Sequence, residues 1–203
     1  MTPPLNTATD FTDPEGFPGR NWRARVTDLV GMDFVCRLPR CRFWVIRHGE
    51  TDYNREGRTQ GHRDIALNNK GLAQAHAAAE FAATLSARSI VSSDLSRAFE
   101  TATILSEVSG LTPVTTHKGL RERAYGVLEG EPRSANRWNE DPAGGEAFAN
   151  FVHRVGTALT EVIAPDRIIV AHGGVLEVTV AALQLPRPES LAANATLNEL
   201  HID

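Results

Sequence analysis

A chain of 203 residues favours one domain, at most a domain with an arm, and is long enough to bury a sizeable core. Its 41% hydrophobic and 23% charged residues are the balance of a soluble globular protein. The net charge of -4 gives no sign of a general attraction to nucleic acid or to an anionic membrane, so any positive site has to be built locally against the overall field.

The opening stretch, "MTPPLNTATDFTDPEG", has neither the basic n-region nor the apolar h-region of a signal peptide. No run approaches the ~20 apolar residues of a membrane span, and a cytoplasmic location is the default expectation. Residues 1–21, rich in Pro, Gly, Thr and Asp, read as an irregular arm. Over residues 22–38, "WRARV" and "MDFVCRL" alternate on either side of Asp28 to Gly31, a weak hairpin signal. Residues 1–40 are thus expected to pack as an arm on a domain spanning 41–203. Cys36 and Cys41 leave a disulfide open, but the pair makes no secreted disulfide scaffold, and no spacing supplies the two further ligands of a zinc site.

From Cys41 onward the pattern becomes regular. "FWVI" is a short apolar run suited to a strand buried on both faces. "NKGLAQAHAAAEFAATLS" is Ala-rich, with helical spacing at Leu72, Ala75, Ala79 and Ala82. "SIVSS" reads as a second buried strand. "DLSRAFETATILSEVSG" reads as a helix with Asp94 near its N-cap and Gly110 at its stop. "TPVTT" is a third strand, "GGEAFANFVHRVGTALTEVIA" a helix and "RIIVAH" a fourth strand. "GGVLEVTVAALQL" is a helix ended by Pro186, and "ATLNELHI" a last strand. Strands alternating with helices indicate an α/β fold in layers around a mostly parallel sheet. Ligands of such sheets bind beyond the carboxyl ends of the strands.

That rule gathers the chemistry. Arg47 and His48 end the first regular strand. Ser92, Ser93 and Asp94 end the next, with Arg97 one turn into its helix. His172 ends "RIIVA" and is followed by Gly173 and Gly174. Each residue alone has an ordinary reading, a solvated arginine or a satisfied histidine; four on one rim do not. Two guanidiniums present forks that match phosphate oxygens. Asn54 adds a neutral donor, and backbone N–H groups at glycines and helix N-termini add more. The natural ligand is a phosphoryl group. No Walker-type or Gly-rich dinucleotide loop is present, which argues against a nucleotide-triphosphate engine or a dinucleotide enzyme.

The stretches "RHGETDYN", "RTQGHRDIALNNKGLAQA", "SSDLSRAFETA", "LRERAYGVLEG" and "AHGGVLE" resemble the motifs of the histidine phosphatase superfamily, the phosphoglycerate-mutase-like fold. The likeness covers residues 41–203 with five motifs in order. It implies a three-layer α/β/α domain and a metal-independent transfer with no cofactor. His48 matches the nucleophile that becomes phosphorylated. Arg47, Asn54 and Arg97 match phosphate ligands, and His172 the second histidine, with Gly173 beside it. Glu122 matches the proton donor to the leaving group, with Tyr125 and Leu128 as neighbours that would desolvate it. Gln60 and Gly61 match a substrate-side loop. Glu129 reads more simply as a loop residue. Gly49 is expected to let the backbone turn where a side chain would crowd the ligand.

Further residues carry two readings. Glu146, in "PAGGEAF", resembles a stretch common among phosphatase branches and is either substrate-side or a helix N-terminal glutamate favoured by the dipole. Arg58 either contacts substrate or covers the rim. Trp138 and Phe148 either line a specificity pocket or pack in the core or a lid, the latter being the simpler. The expected partner is a small phosphorylated substrate, with no nucleic acid and no membrane. The oligomeric state is open, a homodimer included. Three function classes follow: a metal-independent phosphomonoesterase, favoured; a cofactor-dependent phosphoglycerate mutase; and a non-catalytic phospho-ligand binder. A mutase needs a clamp for a second charged group, whereas residues 131–166 hold Arg133, Arg137 and Arg154 with no two adjacent.

Overall fold

A computed structural model describes residues 22–135 and 140–203. The chain order is α1 (Trp22–Val30), β1 (Arg42–Arg47), α2 (Asp52–Arg55), α3 (Asn69–Ala82), β2 (Ser89–Ser92), α4 (Ser96–Ser109), β3 (Val114–Thr116), α5 (Phe148–Val162), β4 (Arg167–Ala171), α6 (Gly173–Ala182) and β5 (Leu197–His201). The strands form one sheet in the order β3-β2-β4-β1-β5. Its pairs are parallel except β1 with β5.

Alternation along β1 divides the molecule into layers, because successive side chains of a strand point to opposite faces. Trp44 and Ile46 face α3 and α4, where they pack with Ala75, Ala79, Ala98, Ala102 and Leu105. The alanines of α3 recur at helical spacing and form a buried face without bulk, so this helix lies close to the sheet. Phe43 and Val45 face the other way, into a larger core with Phe148, Phe151, Val155, Leu159, Val175 and Leu176 from α5 and α6. The central β4 is buried from Ile168 to Ala171, as expected of a strand covered on both sides.

The hairpin expected over residues 22–38 is not formed; Trp22–Val30 is a helix and Val35–Arg37 a short 3₁₀ turn. Trp22 and Val26, four apart, share one buried face, and Phe34 and Leu38 follow them into the same core. The helix is tied to the end of α6: Arg23 donates to the Leu185 carbonyl at 2.7 Å and Thr27 to that of Ala181 at 3.4 Å. The irregular arm expected for residues 1–21, Arg137 and Trp138 lie outside the described residues. Cys36 and Cys41 are free thiols.

The register is what places the site. Arg47 lies opposite Ala171, and Ser92 opposite Val170. The ladder then runs one step further, with the His48 amide donating to Ala171 O and the Ser93 amide to Val170 O, both at 3.0 Å. His48, Ser93 and His172 therefore leave three adjacent strands at one level. Among the described residues no helix is long and apolar enough to cross a membrane.

Candidate active site

His48 is 2% exposed and His172 fully buried, their ring centroids 5.2 Å apart. The His48 Nδ1 lies 2.7 Å from the Gly49 carbonyl. A carbonyl only accepts, so Nδ1 carries the proton and Nε2 presents a lone pair. Arg97 Nε–H points to that lone pair at 3.3 Å. Burial, then the charges of Arg97 and Arg47, push the His48 imidazolium well below the ordinary histidine range. Burial and Arg97 do the same to His172. Both rings are therefore neutral at pH 7.

Arg97 has no exposed surface, and its fork is held by backbone: one terminal nitrogen donates to Arg63 O and the other to Gly61 O, each at 2.9 Å. Among the described residues no carboxylate forms an ion pair with it. Burial lowers its pKa to about 10, which leaves it charged at pH 7. Arg47 donates to Ala192 O at 2.7 Å. Burial first and the neighbouring charge of Arg133 second bring its pKa also to about 10.

Three buried polar atoms of this cluster have no hydrogen-bond partner: Arg47 Nε, Asn54 Nδ2 and His172 Nδ1. Buried polar atoms are almost always paired. Unpaired polar atoms beside two guanidiniums are the kind of arrangement that can take up an anion. Asn54 is fixed by a capping box on α2, its Oδ1 accepting from the Thr51 amide at 3.2 Å. Asn194, which sequence reasoning missed, donates to His48 O at 2.8 Å and lies 3.4 Å from Asn54 Oδ1.

The acid candidate Glu122 reaches the same rim. One carboxylate oxygen accepts from the Gly174 amide at 3.0 Å, in the first turn of α6, the other from the Arg123 amide at 2.9 Å. Its carbonyl accepts from His62 Nε2 at 2.8 Å and Arg154 at 3.3 Å. Tyr125, expected beside Glu122, is buried in the large core, with Leu128 packed against it.

Gln60 is buried and its Oε1 accepts from Thr51 Oγ1 at 3.0 Å. Gly61 has φ +54°, and a Cβ there would collide with the Glu129 carboxylate. Glu129 is thus more than a loop residue. Its Oε1 accepts from the His62 amide at 2.9 Å and the Tyr125 amide at 3.0 Å, clamping the loop that holds Arg97 to the loop that carries Glu122.

Glu146 is committed to Arg154 through two bonds of 2.8 and 2.7 Å, and Arg154 also holds the carbonyls of Gly119 and Arg121. The glutamate therefore braces the loop leading to Glu122. Arg58 stacks 4.1 Å from the Tyr53 ring centroid and donates to Gly130 O at 2.6 Å, covering the rim. Phe148 is fully buried core. Gly49 is needed for a neighbour, since a Cβ would strike the backbone of Gly71 on α3. Asp94 lies next to the N-cap of α4, a position held by Leu95; its side chain is gripped at both oxygens by Arg121 at 2.7 and 2.6 Å, and Asp64 accepts from the Ser96 amide at 2.8 Å. Among the described residues no three His, Cys, Asp or Glu side chains gather as a cation site.

The profile of the Histidine phosphatase superfamily (branch 1) matches residues 43–203. The chain belongs to this superfamily. It is 37% identical to glucosyl-3-phosphoglycerate phosphatase of Mycobacterium tuberculosis over 70% of this chain and 74% of that protein. Phosphoglycerate mutase-like protein 4 of Arabidopsis thaliana is 34% identical over 76% and 74% respectively. Metal-independent phosphoserine phosphatase of the same plant is 32% identical over 78% of this chain and 75% of its own length. The solved structure of mycobacterial glucosyl-3-phosphoglycerate phosphatase superposes with a TM-score of 0.65 at 32% identity, over 79% of this chain and 90% of the other. The histidine phosphatase fold and the mostly parallel sheet expected from the sequence are both found.

Proposed function

We propose that this chain is a metal-independent phosphomonoesterase that acts on a small phosphorylated metabolite through a phosphohistidine at His48. One observation carries the reading: a buried, neutral His48 with its proton fixed on Nδ1, its Nε2 lone pair beside Arg97, and three unpaired polar atoms in the same cluster. Phosphatases among the relatives support the reaction class.

In the first half-reaction the Nε2 lone pair attacks phosphorus, the N–P bond forms and the ester P–O bond breaks. Glu122 delivers its proton to the departing oxygen. Arg47, Arg97 and Asn54 hold the phosphoryl oxygens as negative charge spreads over them, with His172 beside the transferring group. In the second half-reaction water attacks phosphorus, gives its proton to the Glu122 carboxylate and breaks the N–P bond. Inorganic phosphate leaves, and the Nε2 lone pair is restored. Dividing hydrolysis this way replaces one difficult step with two easier ones. Gln60, Gly61 and the rim residue Arg58 border the part of the pocket that would meet the rest of the substrate. The working compartment is proposed to be the cytoplasm.

The mutase alternative needs a grip on a second charged group. Of the arginines in 131–166, Arg154 is taken by Glu146 and Arg137 lies outside the described residues. Among the described arginines of this segment, Arg133 stands near Arg47. Arg133 is exposed, and one exposed guanidinium by itself gives neither a paired fork nor exclusion of water. The test supplies 3-phosphoglycerate with catalytic 2,3-bisphosphoglycerate and follows 2-phosphoglycerate and free phosphate. Net phosphate release is expected; isomerisation far outpacing it would install the mutase. A screen of phosphorylated metabolites with the purified protein then names the substrate.

A further inference from the structure

The hydroxyl of Ser93 sits 2.9 Å from His172 Nε2, and both residues have no exposed surface. Its oxygen also accepts from the Leu95 amide at 3.3 Å, at the entry to α4. An amide only donates. Among the described residues the hydroxyl proton of Ser93 therefore has one acceptor within reach, the Nε2 of His172. Had Nε2 carried the ring proton, Ser93 would receive two N–H donors and its own buried proton would be left without an acceptor, which is unfavourable away from solvent. The remaining ring nitrogen, Nδ1, is the buried atom of His172 without a partner.

We infer that Ser93 is a positioning residue that fixes the tautomer of His172, so that Nδ1 carries the proton and serves as a hydrogen-bond donor to an anion beside His48. The two neutral histidines then share a tautomer but play opposite parts. His48 spends its Nδ1 proton on the Gly49 carbonyl and keeps a lone pair for attack. His172 spends its Nε2 lone pair on Ser93 and keeps a proton for binding. The fold delivers all three from neighbouring strand ends, since the Ser93 amide continues the ladder onto β4 and His172 follows β4 directly. A wrong tautomer would present a lone pair to an anion and repel it, so one hydroxyl decides the sign of that contact.

The inference rests on the phosphatase reading only for its consequence in turnover; the tautomer itself is readable in the resting protein. The experiment is a long-range ¹H–¹⁵N correlation on protein with ¹⁵N-labelled imidazoles at pH 7.5, with His172→Asn used for assignment. The expected His172 pattern is a protonated Nδ1 and an unprotonated Nε2, with the Nδ1 proton moving downfield on addition of vanadate. In Ser93→Ala the pattern should shift toward protonated Nε2, and kcat should fall about 10- to 100-fold while KM changes less than 3-fold. Ser93→Thr, which restores a hydroxyl, should recover most of the loss. A protonated Nε2 in the wild-type protein overturns the inference whatever the variants do. An unchanged kcat in a folded Ser93→Ala protein overturns its catalytic part. Absence of turnover on every phosphomonoester would count against the phosphatase reading and leave the tautomer result standing.

Discussion

Burying two neutral histidines links stability to pH in a calculable way. In the unfolded chain each imidazole takes up a proton near pH 6.5. In the native protein burial and the charges of Arg97 and Arg47 hold both His48 and His172 well below that value. Between pH 6.5 and the native value the unfolded state binds more protons, so stability rises with pH and is lost as pH falls. Below pH 6.5 the slope approaches about 1.4 kcal/mol per pH unit for each ring. From pH 7 to pH 5 this integrates to roughly 2 kcal/mol per histidine, about 4 kcal/mol for the pair, provided both rings stay neutral in the native state. The carboxylates that the native fold holds low, Asp94 and Asp166 through their arginine hydrogen bonds and Glu50 through Lys70, act in a separate window below about pH 4.5. The assay is urea unfolding at pH 7 and pH 5 for the wild type and a His48→Asn/His172→Asn double variant, so that the other five histidines cancel. The wild type should lose about 4 kcal/mol more than the variant over that interval. Equal losses would show that the two rings protonate freely in the native protein, and the neutral-nucleophile argument would fail.

Glu122→Gln should slow substrates with poor leaving groups by about 10²–10⁴-fold and activated aryl phosphates far less, since the latter need little protonation; equal losses in steady-state assays would remove Glu122 as the acid. Phe34→Ala should lower stability by about 3–5 kcal/mol in chemical unfolding, because the ring is 3% exposed in the large core; a loss below about 1 kcal/mol would detach residues 22–38 from that core. Dialysis against a chelator should leave turnover unchanged, and vanadate should compete with substrate for the Arg47, His48, Arg97 and His172 pocket. A requirement for added divalent ion would contradict the metal-independent reading.

The layered α/β core was legible because its strands are short apolar runs and its helices carry a clear period. "FWVI" is hydrophobic on both faces for the simple reason that helices cover both faces. The rim was legible from the same logic, since Arg47, His48 and His172 follow the strands directly. The first helix was misread because Trp22, Ala24 and Val26 alternate over five residues, and so short a window fits period two as well as the i, i+4 pair that is actually buried. What sequence could not show were partnerships that no regular element or motif fixes. Nothing local announces that Glu146 will meet Arg154 on the next helix, or that Glu129 will receive the amides of His62 and Tyr125. Gly49 was assigned to ligand access when the close approach is to Gly71, a contact fixed only once α3 docks. Asn194 carries no motif and becomes visible only where the last turn returns beside His48.

The central claim is a covalent phosphoryl group on His48. Rapid mixing of the protein with ³²P-labelled substrate, followed by alkaline quenching and peptide mapping, tests it directly. The account predicts an acid-labile, base-stable label on His48, bonded through Nε2, and no label in His48→Ala. Label on a serine, or full turnover by the His48→Ala protein, would contradict it.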